Sequence, residues 1–333
     1  MPTQPIHSYT PVTFDKENVD GWKQHLEEEG YAVIHNIFDS TRIQEAIELF
    51  WKDWNTVSPG FARNDPSTWS IQTAPLMFTK GAAVFNGFGQ SDFMWYLRVQ
   101  PEILEIFSHV HNIPSSELIT SFDGFSVFFS KKQKNPRPWW HIDQHPSNPL
   151  YSIQGAYNFL PVDDINAQNV QSAGFTVIPK SHLTFVPSQT RNSADWIEID
   201  KNKTAEETSQ ITSHGVKLLV PANTFILWNS KTIHANTGIT SINPRIKTDS
   251  GTINRLTTYI TCVPRNRCTS EEITQKRIQA YLDGSTTSHW PEKVEIKTYP
   301  WGFGPRYESR GYGRIQPTLT ESGTIPADRL QYI

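Results

Sequence analysis

Cysteine is almost absent: Cys262 and Cys268 are the two thiols in 333 residues. One disulfide is possible on paper, but the multi-bridge framework of small secreted domains is excluded, and a reducing compartment is expected. Long apolar runs are missing too. No stretch approaches the roughly 18 residues that would span a bilayer. The opening residues MPTQPIHSYT lack the apolar core of a signal peptide. A cytoplasmic location is therefore expected, with no membrane partner. Neither sign of charge is in excess: 30 Lys and Arg against 33 Asp and Glu leave a formal net charge of −3. Without a basic footprint, nucleic acid is not an expected partner. What is abundant is aromatic: 12% of residues, including 11 Trp, within 37% hydrophobic residues. Such a chain buries a sizeable core. Its length fits one decorated barrel domain over 1–333.

The N-terminal third reads as helical. Residues 1–13 suggest a loose arm. Phe14 to Glu29 suggests a helix, with Asp15 or Asp20 as N-cap and Gly30 as stop. Tyr31–His35 is a short strand. Asp39 or Ser40 caps a helix carrying Ile43, Ala46, Ile47, Phe50 and Trp54 on one face. Residues 55–100 give no clear period, and Pro101–His111 reads as a helix. From Leu118 the texture changes to short β-branched and aromatic runs separated by turn residues: 124–130, 151–160, 174–178, 216–220, 224–228 and 255–263. With no helix alternating among them, these suggest a β-sandwich or barrel rather than a doubly wound fold. Ser270–Leu282 reads as a helix. The Pro-, Gly- and aromatic-rich tail from Ser285 reads as a wrapped extension. The expected parts are a mainly helical 14–115, a barrel core over 116–265, and a C-terminal helix and extension over 266–333.

The chemistry concentrates in Trp139-Trp140-His141-Ile142-Asp143. In an extended strand residues 141 and 143 project to one face, so an imidazole and a carboxylate converge. A second imidazole from another strand completes a facial triad. Three positions of an octahedral metal then stay open, which suits Fe(II) with a chelating co-substrate and O2. His-x-Asp alone is weak evidence in a chain with 11 His. Its surroundings are ordered, however. A strand follows at 153–160, then Gly174-Phe-Thr-Val-Ile-Pro-Lys-Ser-His182. Then comes the run from Pro221 through Trp228 to His234-Ala235-Asn236, which puts a histidine just after an apolar strand.

These motifs, together with Glu27-Glu28-Glu29-Gly30-Tyr31-Ala32-Val33-Ile34, resemble the phytanoyl-CoA dioxygenase family of Fe(II)/2-oxoglutarate oxygenases over about residues 14–265. The resemblance implies a mainly β fold with flanking helices, a double-stranded β-helix (jelly roll, cupin-like). It implies Fe(II) held by His141, Asp143 and His234, with 2-oxoglutarate and O2 as co-substrates. The implied reaction yields succinate and CO2 and hydroxylates a substrate C–H. A carboxylate at Asp143 argues against halogenation, since halogenases of this fold put a small residue there. Two departures stand out: Lys180 replaces the usual glycine of the Pro-Gly-Ser-His turn, and the segment after His234 is long. His182 lies in that turn and reads as structural. His145 reads as a loop residue and His289 as tail packing.

The far carboxylate of 2-oxoglutarate needs a buried cation, and the planar fork of Arg suits it. Arg245 and Arg255 are the candidates. Arg255 opens a strong strand signature and Thr257 shares its face, so Arg255 with Thr257 is the expected co-substrate site. The expected function is hydroxylation of a small organic molecule. The alternatives are action on a protein or nucleic-acid group, or a non-catalytic binding module of the same fold. The basic run 131–137 reads as a solvated loop, or as an anion-steering rim beside the metal motif. A lid over the barrel mouth is expected from the aromatics of Trp69–Trp95 (Phe78, Phe85, Phe88 and Phe93 among them), from Lys131–Trp139, and from the tail near Trp301 and Tyr307.

Overall fold

The structure is a computed structural model describing residues 6–70, 72–77, 81–129, 138–165, 170–191, 195–199, 203–238, 240–241, 253–298 and 312–333. The chain forms two compact units. One comprises Met1–Asn36 with Phe128–Leu256, the other Ile37–Val127 with Thr257–Ile333.

The first unit is built from two facing sheets. One has the order β1 (His7–Tyr9), β13 (Val216–Leu218), β11 (Gly174–Val177), β15 (His234–Thr237), β7 (His141–Ile142), β12 (Ile197–Glu198). The other runs β2 (Phe14–Asp15), β3 (Tyr31–His35), β14 (Thr224–Asn229), β8 (Ile153–Asn158), then the first half of β17 (Ile253–Ile260). A small ribbon joins β9 (Asp164–Ile165), β10 (Val170–Gln171) and β16 (Thr240–Ser241). From β7 onward the chain passes back and forth between the sheets: β7, then β8, then β11 to β13, then β14, β15 and β17. That alternation is the expected double-stranded β-helix. The sheets meet through side chains such as Phe175 and Trp228, whose ring centroids are 5.0 Å apart.

Strand alternation assigns the faces. Trp140 and Ile142 of the β7 segment, Ile197 and Ile199 around β12, and Ile233 and Ala235 at β15 pack into one apolar cluster. His141 and His234 therefore turn to the opposite face, toward the interior between the sheets. Helix α1 (Val19–Glu29) starts later than the pattern predicts. Asn18, not Asp15 or Asp20, caps it by accepting the Gly21 N–H at 3.2 Å. Phe14–Asp15 pairs with β3 instead of entering the helix. Residues 7–9 are likewise not a loose arm; they pair in parallel with Val216–Leu218. Gly30 ends α1 at φ 81, where a Cβ would meet His182 Nδ1 and Thr232 Oγ1 at 2.5 Å. Only glycine fits there. Two short helices complete the unit, α5 (Ser181–Thr184) and α6 (Ala205–Thr212).

The second unit holds helices α2 (Ser40–Val57), α3 (Asp92–Arg98), α4 (Pro101–His111) and α7 (Glu271–Leu282). Its strands are β4 (Ala82–Ala83), β5 (Leu118–Thr120), most of β6 (Phe125–Phe129), the second half of β17, and β18 (Cys262–Pro264). Asp39 caps α2 and Ser270 caps α7. Helix α2 buries Ala46, Phe50 and Trp54 as expected, but also Asp53 and Val57, while Ile43 and Ile47 are half-buried. The unassigned aromatics are this unit's core. Phe61 stacks on Trp69 at 5.3 Å and Trp54 on Phe88 at 5.8 Å, and both Phe88 and Phe93 pack on Phe125. Trp69, Phe85, Phe88, Phe93 and Trp95 are buried, so these described aromatics of 69–95 pack as core. Phe78, the basic run 131–137, Trp301 and Tyr307 lie outside the described residues. The tail wraps this unit, with Gly313 N–H donating to Val57 O and Asn86 Nδ2 to Gly313 O. Both cysteines are free thiols. Among the described residues no helix is long and apolar enough to cross a membrane.

Candidate metal centre

Three elements deliver three side chains to one point. His141 opens β7, and His234 opens β15 directly opposite it in antiparallel register. Asp143 follows β7 in a turn whose backbone is fixed, because Asp143 N–H and Gln144 N–H both donate to Ser230 O at 3.0 Å. Ser230 itself begins the turn leading from β14 to β15. One ligand atom from each of His141, Asp143 and His234 lies within 4.8 Å of the others, and all three residues are buried. His234 Nε2 is 3.1 Å from Asp143 Oδ2, and His141 Nε2 is 3.6 Å from Asp143 Oδ1.

Hydrogen bonds orient each member. His141 Nδ1 bonds to the Trp139 carbonyl at 2.7 Å, and His234 Nδ1 to the Thr232 carbonyl at 2.9 Å. A carbonyl only accepts, so both Nδ1 atoms carry the proton. Both Nε2 lone pairs then face the carboxylate, the arrangement a metal-binding imidazole requires. Gln154, from β8, donates to Asp143 Oδ2 at 2.8 Å and to Ser230 Oγ at 3.1 Å. Ser230 Oγ donates onward to Ser152 Oγ at 2.9 Å. Aromatic rings surround the imidazoles. Trp139 lies 4.3 Å from His141, and Phe175 and Trp228 lie 5.7 and 5.3 Å from His234. A buried carboxylate is costly without positive charge beside it, and two imidazole nitrogens with one carboxylate suit a divalent transition metal with open positions.

The expected co-substrate residues divide. Arg255 is buried, and its Nη1 donates to Asn236 Oδ1 at 2.7 Å. Asn236 lies two residues past His234, so it shares that residue's face of β15. Thr257, two residues beyond Arg255 on β17, is fully buried. Arg245 lies outside the described residues. His145 contacts Ser147 Oγ and Gln189 O within loops, and His182 Nε2 bonds to Glu27 O, which ties α5 to α1. His289 packs against Trp290 at 5.3 Å. Lys180 sits at φ 63, donates its N–H to Glu29 O, and pairs its ammonium with Glu29 at 3.2 Å. The missing glycine thus alters a turn, as expected. Sequence reasoning missed Gln154, Ser230 and Asn236. A glutamine in a fully buried strand and an asparagine two residues past His234 are the signal that was there to read.

No family model matches the chain. A curated relative from Aspergillus versicolor, "Ava biosynthesis cluster protein O", is 28% identical over 148 residues, 44% of this chain. The match spans 47% of that protein's length, about half. Among solved structures the chain is similar to the epimerase SnoN, solved with Fe3+, alpha ketoglutarate and nogalamycin RO. The identity is 13% and the TM-score 0.46, over 75% of this chain and 87% of that one. It is also similar to the carbocyclase SnoK, at 11% identity and TM-score 0.46 over 76% and 87%. AviO1 from Streptomyces viridochromogenes matches at 11% and 0.44 over 76% and 97%.

Proposed function

We propose that this chain is an Fe(II)- and 2-oxoglutarate-dependent oxygenase that hydroxylates a small organic molecule. The observation that carries the reading is the buried His141–Asp143–His234 cluster, with both Nε2 lone pairs turned inward by backbone carbonyls. Iron bound there, with 2-oxoglutarate and O2, supplies the oxidising power for C–H cleavage. The chain's own part is holding and shielding. His141 and His234 present fixed nitrogens. Asp143 supplies one negative charge, and Gln154 restrains the carboxylate's orientation through Oδ2. Arg255 binds the distal carboxylate of the co-substrate, aimed by Asn236. A strand rises about 3.3 Å per residue, so Asn236 lies about 7 Å along β15 from His234, a spacing that suits a five-carbon diacid chelating the metal at its other end. Phe175 and Trp228 keep water from the His234 side.

A small organic substrate is favoured over a macromolecule by the curated relative, which is named for a biosynthesis cluster. A non-catalytic binding role is disfavoured by the intact ligand set. The test is succinate formation from 2-oxoglutarate under air with added Fe(II), with and without candidate substrates. Wild-type protein forms succinate even uncoupled, and His234→Ala forms none while keeping its fold by circular dichroism. Full turnover in the variant, or none in wild type, overturns the reading.

A further inference from the structure

We propose that the substrate carries an organic cation, a protonated amine or guanidinium, recognised by Glu198 and Trp196 beside the metal centre. The inference rests on the oxygenase reading only for what the neighbouring metal does. Strand β12 pairs antiparallel with β7, placing Ile197 opposite Ile142 and Glu198 opposite His141. Opposed residues share a face. Ile142, Ile197 and Ile199 are packed together in the apolar cluster, so Glu198 and Trp196 emerge on the other face, with His141. The rings agree: Trp196 lies 5.9 Å from the His141 ring and 6.1 Å from Trp139. Directly opposed residues hold their Cβ atoms about 5 Å apart, so the Glu198 carboxylate starts one side chain from a metal ligand. It is not part of the ligand cluster. It is half-buried, and among the described residues no ion pair or hydrogen bond engages it.

The residue before Trp196 is fixed in an unusual way. Asp195 is fully buried at φ 59, with its carboxylate held by Asn148 Nδ2 at 2.8 Å and Arg191 Nε at 2.6 Å. A left-handed residue that is not glycine is retained where the surroundings enforce it, and this one sets the direction of the next side chain. A half-buried carboxylate beside an indole face is poorly matched to a neutral hydrocarbon, which strips its water, and repels an acid. An organic cation satisfies both groups, pairing with the carboxylate and lying on the indole.

The probes are tryptamine, charged at neutral pH, and tryptophol, its neutral alcohol counterpart. Each is titrated calorimetrically into full-length protein loaded with Ni(II) and 2-oxoglutarate, which does not turn over. Tryptamine should bind about tenfold tighter than tryptophol. Glu198→Gln should erase that difference, and Trp196→Leu should weaken tryptamine more than tryptophol, so either variant carries the test if the other fails to fold. Equal affinities in wild type, binding of neither probe, or a preference that survives both substitutions overturns the proposal. Ni(II) and co-substrate binding, measured first on the same sample, reports the oxygenase reading separately. Repeating the titrations on metal-free protein isolates the cation preference should that reading fail.

Discussion

Removing the guanidinium of Arg255 is the sharpest probe of how a co-substrate would be held. Arg255 is 1% exposed, and its Nη1 is committed to Asn236 Oδ1. In Arg255→Ala the distal carboxylate of 2-oxoglutarate would enter a buried volume without the guanidinium proposed to meet it. Breaking one side of a buried charge pair costs roughly 3–5 kcal/mol, and each 1.4 kcal/mol is about tenfold. The half-saturating 2-oxoglutarate concentration for succinate formation should therefore rise by roughly two to three and a half orders of magnitude. Arg255→Lys keeps the charge but loses the fork, and should fall between. Asn236→Ala loses the orienting bond to Arg255, about 1 kcal/mol, and should cost less than Arg255→Ala. Co(II) binding to the triad should change little in all three, because neither Arg255 nor Asn236 is one of the three residues in the cluster. Circular dichroism melting separates loss of the fold from loss of the site. A folded Arg255→Ala protein with an unchanged 2-oxoglutarate requirement would refute the assignment. So would an Arg245→Ala protein showing the predicted defect in its place.

Gln154→Leu should weaken Co(II) binding by roughly 10- to 100-fold, since it removes a donor to Asp143 Oδ2; an unchanged titration would show that this bond does not hold the carboxylate for the metal. Lys180→Gly should stabilise the protein by about 1 kcal/mol in urea unfolding, because an L-residue at φ 63 costs about 1–2 kcal/mol and the ion pair of the exposed Lys180 with half-buried Glu29 offsets only part. A variant less stable than wild type would contradict this. Burial pushes the Asp53 carboxyl up to about 6 from an ordinary 3.8, partly opposed by its bond from Phe93 N–H. Because the folded value is raised, the group's contribution is fully present below about pH 4 and lost as pH rises through 6. Asp53→Asn should therefore gain roughly 2–3 kcal/mol at pH 8 and nothing near pH 3.5, and an equal gain at both would reject the cause.

Much of the metal centre was legible because its chemistry is periodic. His141 and Asp143 are spaced for one face of a strand, and His234 follows shortly after an apolar strand. The alternation of Trp140 and Ile142 with the ligands was already written in the residues. Strand Tyr31–His35, helix Pro101–His111 and the Gly30 stop were readable for the same local reasons. What failed was decided by distant partners. Phe14 has helix-compatible neighbours, yet β3 offers it a ladder, and Asn18 caps better than either aspartate. Residues 7–9 become a strand only because Val216–Leu218 presents an edge. The aromatics of 61–95 carry no period because a core of rings from several segments has none. Gln154 and Ser230 lie 11 and 76 residues apart from their partners at Asp143 and Gln154, and no local pattern announces such a bond.

The end of α1 is tied to the imidazole of His234 by one residue. Thr232 donates its hydroxyl to Gly30 O at 3.0 Å, while its carbonyl accepts the His234 Nδ1 proton. Asn229 N–H also donates to Gly30 O, and a Cβ at position 30 would collide with the Thr232 hydroxyl. A side chain introduced at Gly30 thus displaces the carbonyl that aims a metal ligand, though residue 30 is neither a metal ligand nor part of strand β15. In a screen scored by iron retention, Gly30 and Thr232 would behave like ligands, and natural sequences would be constrained there as tightly as at His234. Intolerance to substitution would mark inheritance of the same geometry rather than participation in the chemistry.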